Sequence, residues 1–64
     1  ILVEKYGLTP REAEVMELIS TGIKNEEIAG KLFVSTNTVK FHIKNIFIKL
    51  DVKNRVQAMQ KSAL

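Results

Sequence analysis

The sequence predicts an all-α fold of four short helices, over about residues 10–21, 26–32, 36–50 and 55–63. Three observations lead there. Apolar residues recur at the three- and four-residue intervals of a helix face. Cap-forming residues, Thr9, Asn25, Ser35 and Asn54, stand before four such stretches. No segment of useful length carries the alternation of a strand.

The first helix has the firmest start. In Thr9-Pro10-Arg11-Glu12, Thr9 can cap, Pro10 suits the first helical position and Glu12 completes a capping box. Ala13, Val15, Met16, Leu18 and Ile19 form its buried side, and Gly22 can take the left-handed conformation that closes it, with Ile23 following. Asn25 is expected to cap the second helix, Glu26 and Glu27 to favour its first turn, and Ile28, Ala29 and Leu32 to face inward. Gly30 would cost roughly 1 kcal/mol against alanine there, so it is read either as a close approach to a neighbouring helix or as merely tolerated. Phe33-Val34-Ser35 then makes a very short joint into the third helix. Two short helices so joined, the second basic on its outer side, predict a helix-turn-helix. A fourth helix follows, with Asn54 as its cap, Gln57 at the capping-box position, and Val56, Ala58, Met59 and Ala63 as its apolar surface.

The third helix, S-T-N-T-V-K-F-H-I-K-N-I-F-I-K-L from its cap Ser35 to Leu50, organises the rest. At ~100° per residue, Val39, Ile43, Ile46 and Leu50 form a narrow stripe flanked by Phe47 and His42. Asn37, Lys40, Phe41, Lys44, Asn45 and Ile48 point the other way, and no acid occurs in the segment. Val34 and Val39 have the separation of a hydrophobic staple around the Ser35 cap. Such a helix suits burial on one side and a nucleic-acid groove on the other.

Composition narrows the function. Sixty-four residues make one small domain, which buries only about 60% of the surface its unfolded chain exposes. The absence of cysteine excludes disulfides and thiolate metal sites, and one histidine among scattered acids gives no catalytic metal site. No apolar run approaches the ~20 residues of a membrane span, so no membrane contact is expected and a cytoplasmic place is the simplest. The first residue is Ile1 rather than Met, so a fragment of a longer chain is expected. The net charge of +3 is uneven: residues 1–32 balance at −2, with six glutamates, and residues 33–64 at +5, with Asp51 as their one acid. Charge alone leaves two readings open, a docking face for an anionic partner and an ordinary solvated surface.

Several motifs together resemble the LuxR/FixJ-type DNA-binding domain: L-T-P-R-E at 8–12, N-E-E-I-A at 25–29, S-x-x-T-V-K-x-H-x-x-N-I from Ser35 to Ile46, and K-L-D-V-K-N-R at 49–55. The likeness runs from about Leu8 to Ala63. It implies a domain at residues 8–64, with 1–7 a linker remnant or an arm packed on it. It also implies the C-terminal output module of a bacterial transcription regulator, with the third helix in the major groove and the fourth forming a dimer contact. Two positions depart from the pattern: Asp51 stands where the family usually has glycine, and Ile48 where it often has a basic residue.

The resemblance and the exposed positions together nominate Lys40, Phe41, Lys44 and Asn37 as base readers. Lysine can donate to guanine O6 and N7, and an apolar side chain can pack on the thymine methyl. The alternatives are solvated lysines and, for Phe41, core packing. Ser35 and Thr38 lie at the positive helix end, where phosphate is favoured. His42 has neither a catalytic partner nor companion metal ligands, and is read as packing at the stripe's edge with a hydrogen bond to phosphate. Asn45, Asn25, Lys53 and Arg55 complete the candidate backbone contacts. Asn45 could equally face solvent, and Arg55, set against the positive end of its own helix, either meets an anionic partner or is solvated. Val56, Met59 and Ala63 are the candidate dimer surface. The expected partners are double-stranded DNA, a second copy through the fourth helix, and RNA polymerase as a further candidate; no cofactor is expected. The rival reading is a protein-interaction module gripping an acidic partner through the third helix, with Phe41 and Ile48 in its favour. No nucleophile–base pair, phosphate loop or paired carboxylates suggest an enzyme.

Overall fold

The capping chemistry at Thr9 sets the first helix. In the computed structural model, which describes residues 6–62, the Thr9 hydroxyl accepts from the Glu12 N–H at 3.1 Å and the Thr9 N–H donates to Glu12 Oε1 at 2.9 Å. Helix α1 (Pro10–Ser20) follows, then α2 (Asn25–Leu32), α3 (Thr36–Leu50) and α4 (Arg55–Ser62). None of these helices is long and apolar enough to cross a membrane. Ala63, nominated for the dimer surface, and residues 1–5 of the expected arm lie outside the described residues.

The core assembles the apolar side of every helix. Val15, Met16 and Ile19 of α1, Ile28 and Ala29 of α2, Val39, Ile46 and Leu50 of α3, and Ala58 of α4 are buried together with Leu8. Helix α3 packs against both α1 and α2, while α4 closes on α1 and α3. Ala13, Leu18, Leu32, Ile43, Phe47 and Met59 are half-buried at its edges.

Two expectations about the helix ends need correction, and two open readings are narrowed. The cap of α2 is Lys24, with no side-chain bond, because the Asn25 side chain inside the helix takes a hydrogen bond from Arg55 instead. Asn54 does cap α4, its Oδ1 accepting from the Gln57 N–H at 2.9 Å, but Gln57 Oε1 accepts from Lys53, one residue before the cap. Val56 is exposed, so the core takes Ala58 and part of Met59 from α4. Gly30 is exposed, and a Cβ built there meets nothing within 4 Å. Its hydrogen therefore serves no close approach.

Helices α2 and α3 end alike. Phe33 (φ 58°) and Asp51 (φ 56°) adopt the left-handed conformation, and the residue after each donates back into its helix: Val34 N–H to Ala29 O and Val52 N–H to Phe47 O, both 3.0 Å. These are Schellman closures made without glycine. Phe33 was unforeseen in this role, and the residue is 94% exposed.

Among the described residues, one polar group lies within the core. Glu12 is 4% exposed, and Lys49 of α3 donates to its Oε1 at 2.6 Å. Burial acts to raise the Glu12 pKa, but the Lys49 bond, the Thr9 N–H and the charges of Lys49 and His42 outweigh it and hold it below its ordinary value. The folded carboxyl thus stays ionised where the unfolded one has taken a proton. Its contribution is complete above the ordinary carboxylate range and is lost as pH falls through the lowered value.

Three outcomes are expected. Gly30→Ala should stabilise the domain by up to about 1 kcal/mol, raising the thermal midpoint by several degrees in a circular-dichroism melt. Lys49→Met, which strands a buried carboxylate, should cost about 1–3 kcal/mol in urea unfolding at neutral pH. Glu12→Gln should flatten the loss of stability in acid, and an unchanged acid profile would remove Glu12 from that role.

Candidate nucleic-acid interface

The buried stripe of α3 dictates what the helix offers to solvent. With Val39, Ile46 and Leu50 turned inward, Asn37, Lys40, Phe41, Lys44 and Ile48 are all exposed. Positions 37, 40, 41, 44 and 48 follow helical i, i+3, i+4, i+7, i+11 spacing, so they share one side of the rod. Phe41 is 62% exposed and lies edge-on to His42, with ring centroids 5.9 Å apart and planes at 63°. It is therefore a surface residue, and the core-packing alternative falls away. His42, half-buried, sits at the flank of the inner stripe, close enough for its charge to act on Glu12. Asn45 is half-buried too.

At the N-terminus of α3, Ser35 Oγ accepts from the Thr38 N–H at 3.1 Å, and the two hydroxyl oxygens lie 2.9 Å apart in a mutual hydrogen bond. The Thr36 and Asn37 N–H groups have no carbonyl one turn back within the helix. Together with the helix dipole they make this end attractive to an anion, directly beside the exposed stripe.

The remaining nominated residues divide. Lys53 is exposed at the α3–α4 joint, its N–H bonded to Gln57. Arg55 turns its guanidinium inward: Nη1 donates to the Ile23 carbonyl at 2.9 Å and Nη2 to Asn25 Oδ1. This tie explains how a cation sits at the positive end of α4 with no external anion. Asn25 and Arg55 thus join the start of α2 to α4. On α4, Val56 is exposed and Met59 half-buried.

Two positioning residues were missed. Lys49 holds Glu12, and Lys61 Nζ donates to the Leu50 carbonyl at 2.6 Å while lying 5.8 Å from the Tyr6 ring centroid. A signal for the first was present. Glu12 continues the 15, 16, 19 series of α1 at helical spacing, which places an acid on the core side and calls for a cation. Nothing in the local pattern marked Lys61.

The model for "Bacterial regulatory proteins, luxR family" matches residues 6–62. The chain is 52% identical over 56 residues to the CsgBAC operon transcriptional regulatory protein of Escherichia coli (strain K12), covering 88% of this chain and 26% of that protein. It is 51% identical over 52 residues to a nitrate/nitrite response regulator protein homolog of Haemophilus influenzae, covering 81% and 25%. Over 61 residues it is 43% identical to the HTH-type transcriptional regulator MalT of Serratia proteamaculans, covering 95% and 7%. The chain thus spans about a quarter or less of the length of these relatives. Matched over nearly all its residues and folded as four helices around a helix-turn-helix, it belongs to the luxR family of bacterial regulatory proteins, as a DNA-binding domain of transcription regulation.

Proposed function

We propose that this domain recognises a specific duplex sequence by laying α3 in the major groove, and that two copies bind a two-fold site through α4. The observation that carries the reading is the outward side of α3: two exposed lysines, an exposed amide and an exposed aromatic, with no acid on the helix. Lys40 and Lys44, one turn apart, are the donors for guanine O6 and N7, Asn37 adds an amide at the leading end, and Phe41 packs on a thymine methyl. The N-terminus of α3, with Ser35 and Thr38, receives a phosphate; His42, Asn45 and Lys53 flank the groove for further backbone contacts. Asn25 and Arg55 act through their mutual tie, orienting α2 and α4 rather than gripping the backbone.

The case for two copies rests on size and on α4. A single module buries about 600–1,000 Å² on DNA, while non-specific binding lies at roughly 10⁻⁴–10⁻⁶ M. A second copy, with half-sites about one helical turn apart, multiplies the readout. Exposed Val56 and half-buried Met59 supply an apolar patch for that contact. Such a domain would act in the bacterial cytoplasm, where the chromosome is.

Duplexes selected from a random pool test the reading. Lys40→Ala and Lys44→Ala should each weaken binding to the selected site, by about 1–3 kcal/mol where the lysine reads a base, with relaxed preference at one base pair. Unchanged affinity in both would overturn the groove assignment. Val56→Glu should lower affinity for a two-fold site in a gel shift while leaving a single half-site nearly unaffected; equal loss on both would remove α4 from the dimer contact.

A further inference from the structure

Helix α3 carries seven apolar residues, of which five are buried or half-buried. Phe41 and Ile48 are the exceptions, and Ile48, at 68% exposure, is the more exposed. A single exposed isoleucine needs no explanation. Two exposed apolar residues on one line of one helix, with Lys44 between them, are a pattern. At ~100° per residue, Ile48 falls angularly between Phe41 and Lys44 and lies one turn beyond Lys44. It therefore continues the stripe rather than turning toward a flank.

Isoleucine has no donor for a base acceptor or a phosphate. Its one route to favourable contact is to remove apolar surface from water. In the major groove the apolar group on offer is the C5-methyl of the pyrimidine edge, as in thymine. Lys40 and Lys44 bring the helix to an anionic surface, so the apolar pair is delivered to the groove wall by the charges beside it. Phe41 and Ile48 are seven residues apart, about 10.5 Å along the helix axis, close to three base-pair rises of about 3.4 Å.

The geometry points to a second methyl reader: Ile48 packs on a C5-methyl group about three base-pair steps from the one met by Phe41, so the target carries two such methyls at a fixed spacing. This rests on the groove reading of α3 and adds the chemistry of the bases at the C-terminal end of the contact. A residue of the same reach but cationic would instead seek phosphate, making affinity more salt-dependent and less particular about the base.

The test pairs protein and DNA changes. In a duplex selected from a random pool, each thymine is replaced singly by deoxyuridine, which deletes only the methyl. Affinity is measured for the unaltered chain, Ile48→Ala and Phe41→Ala. Two replacements about three base pairs apart should each lower affinity about fourfold. One effect should vanish in Ile48→Ala and the other in Phe41→Ala. Because both side chains are exposed, neither variant should disturb folding, which a thermal melt checks. A uridine effect that ignores Ile48, or an Ile48→Ala loss that is equal on every duplex, overturns the inference. If Lys40→Ala and Lys44→Ala bind as the unaltered chain does, the groove reading has failed and this falls with it. If they weaken binding and the uridine coupling is absent, only the role of Ile48 is lost.

Discussion

A carboxylate almost wholly withdrawn from water requires a cation and hydrogen bonds to remain ionised, and this requirement at Glu12 shapes the domain. Its Oε1 closes the cap of α1 through the Thr9 N–H and accepts from Lys49 in the last turn of α3. One oxygen thereby links the start of the first helix to the end of the third. Apolar contacts alone are non-directional and would tolerate some rotation of α3 about its axis. The Lys49 bond, at the flank of the inner stripe, adds a directional contact to the phase that Val39, Ile46 and Leu50 set. With that phase set, the side carrying Lys40, Phe41 and Lys44 faces solvent.

The ends of α3 are held as firmly as its side. Its start is fixed by the Ser35 cap, reached through a turn whose left-handed residue is Phe33. A left-handed non-glycine residue costs roughly 1–2 kcal/mol, and Asp51 repeats that cost at the far end. Each is offset by two returning backbone bonds, and at the far end Lys61 adds a third partner for the carbonyls by donating to Leu50. The family's usual glycine would reach this geometry without strain. Here aspartate reaches it with the same bonds, so the departure leaves the helix end intact.

Local chemistry was legible in the sequence; long-range polar chemistry was not. The α1 cap, the Ser35 cap, Gly22 and the inner stripe of α3 are decided by residues within one or two turns of each other, and each is present as read. The Asn25 cap failed because an arginine thirty residues later takes its side chain. Gly30 left two readings open, a close approach or mere tolerance, and the open space around it decides for tolerance. The exposed side of α3 could be read because three apolar anchors fix its phase. The Glu12–Lys49 tie could have been suspected from an acid at an inward position, although its partner, 37 residues distant, could not be chosen among the lysines without the fold.

The charge asymmetry likewise changes meaning once the fold is known. Residues 33–64 carry six cations, which invites reading the whole excess as a footprint for phosphate. Lys49 is bonded to Glu12, Arg55 to the α2 entry and Lys61 to the end of α3, so half of these cations act within the protein. Lys40, Lys44 and Lys53, all exposed, are the other three. Three outward charges neutralise few phosphates, and the salt dependence they support is shallow, about −0.9 per contact. On the proposed groove reading, selectivity would rest on what lies between those lysines, where the helix offers an amide and two apolar side chains rather than more charge.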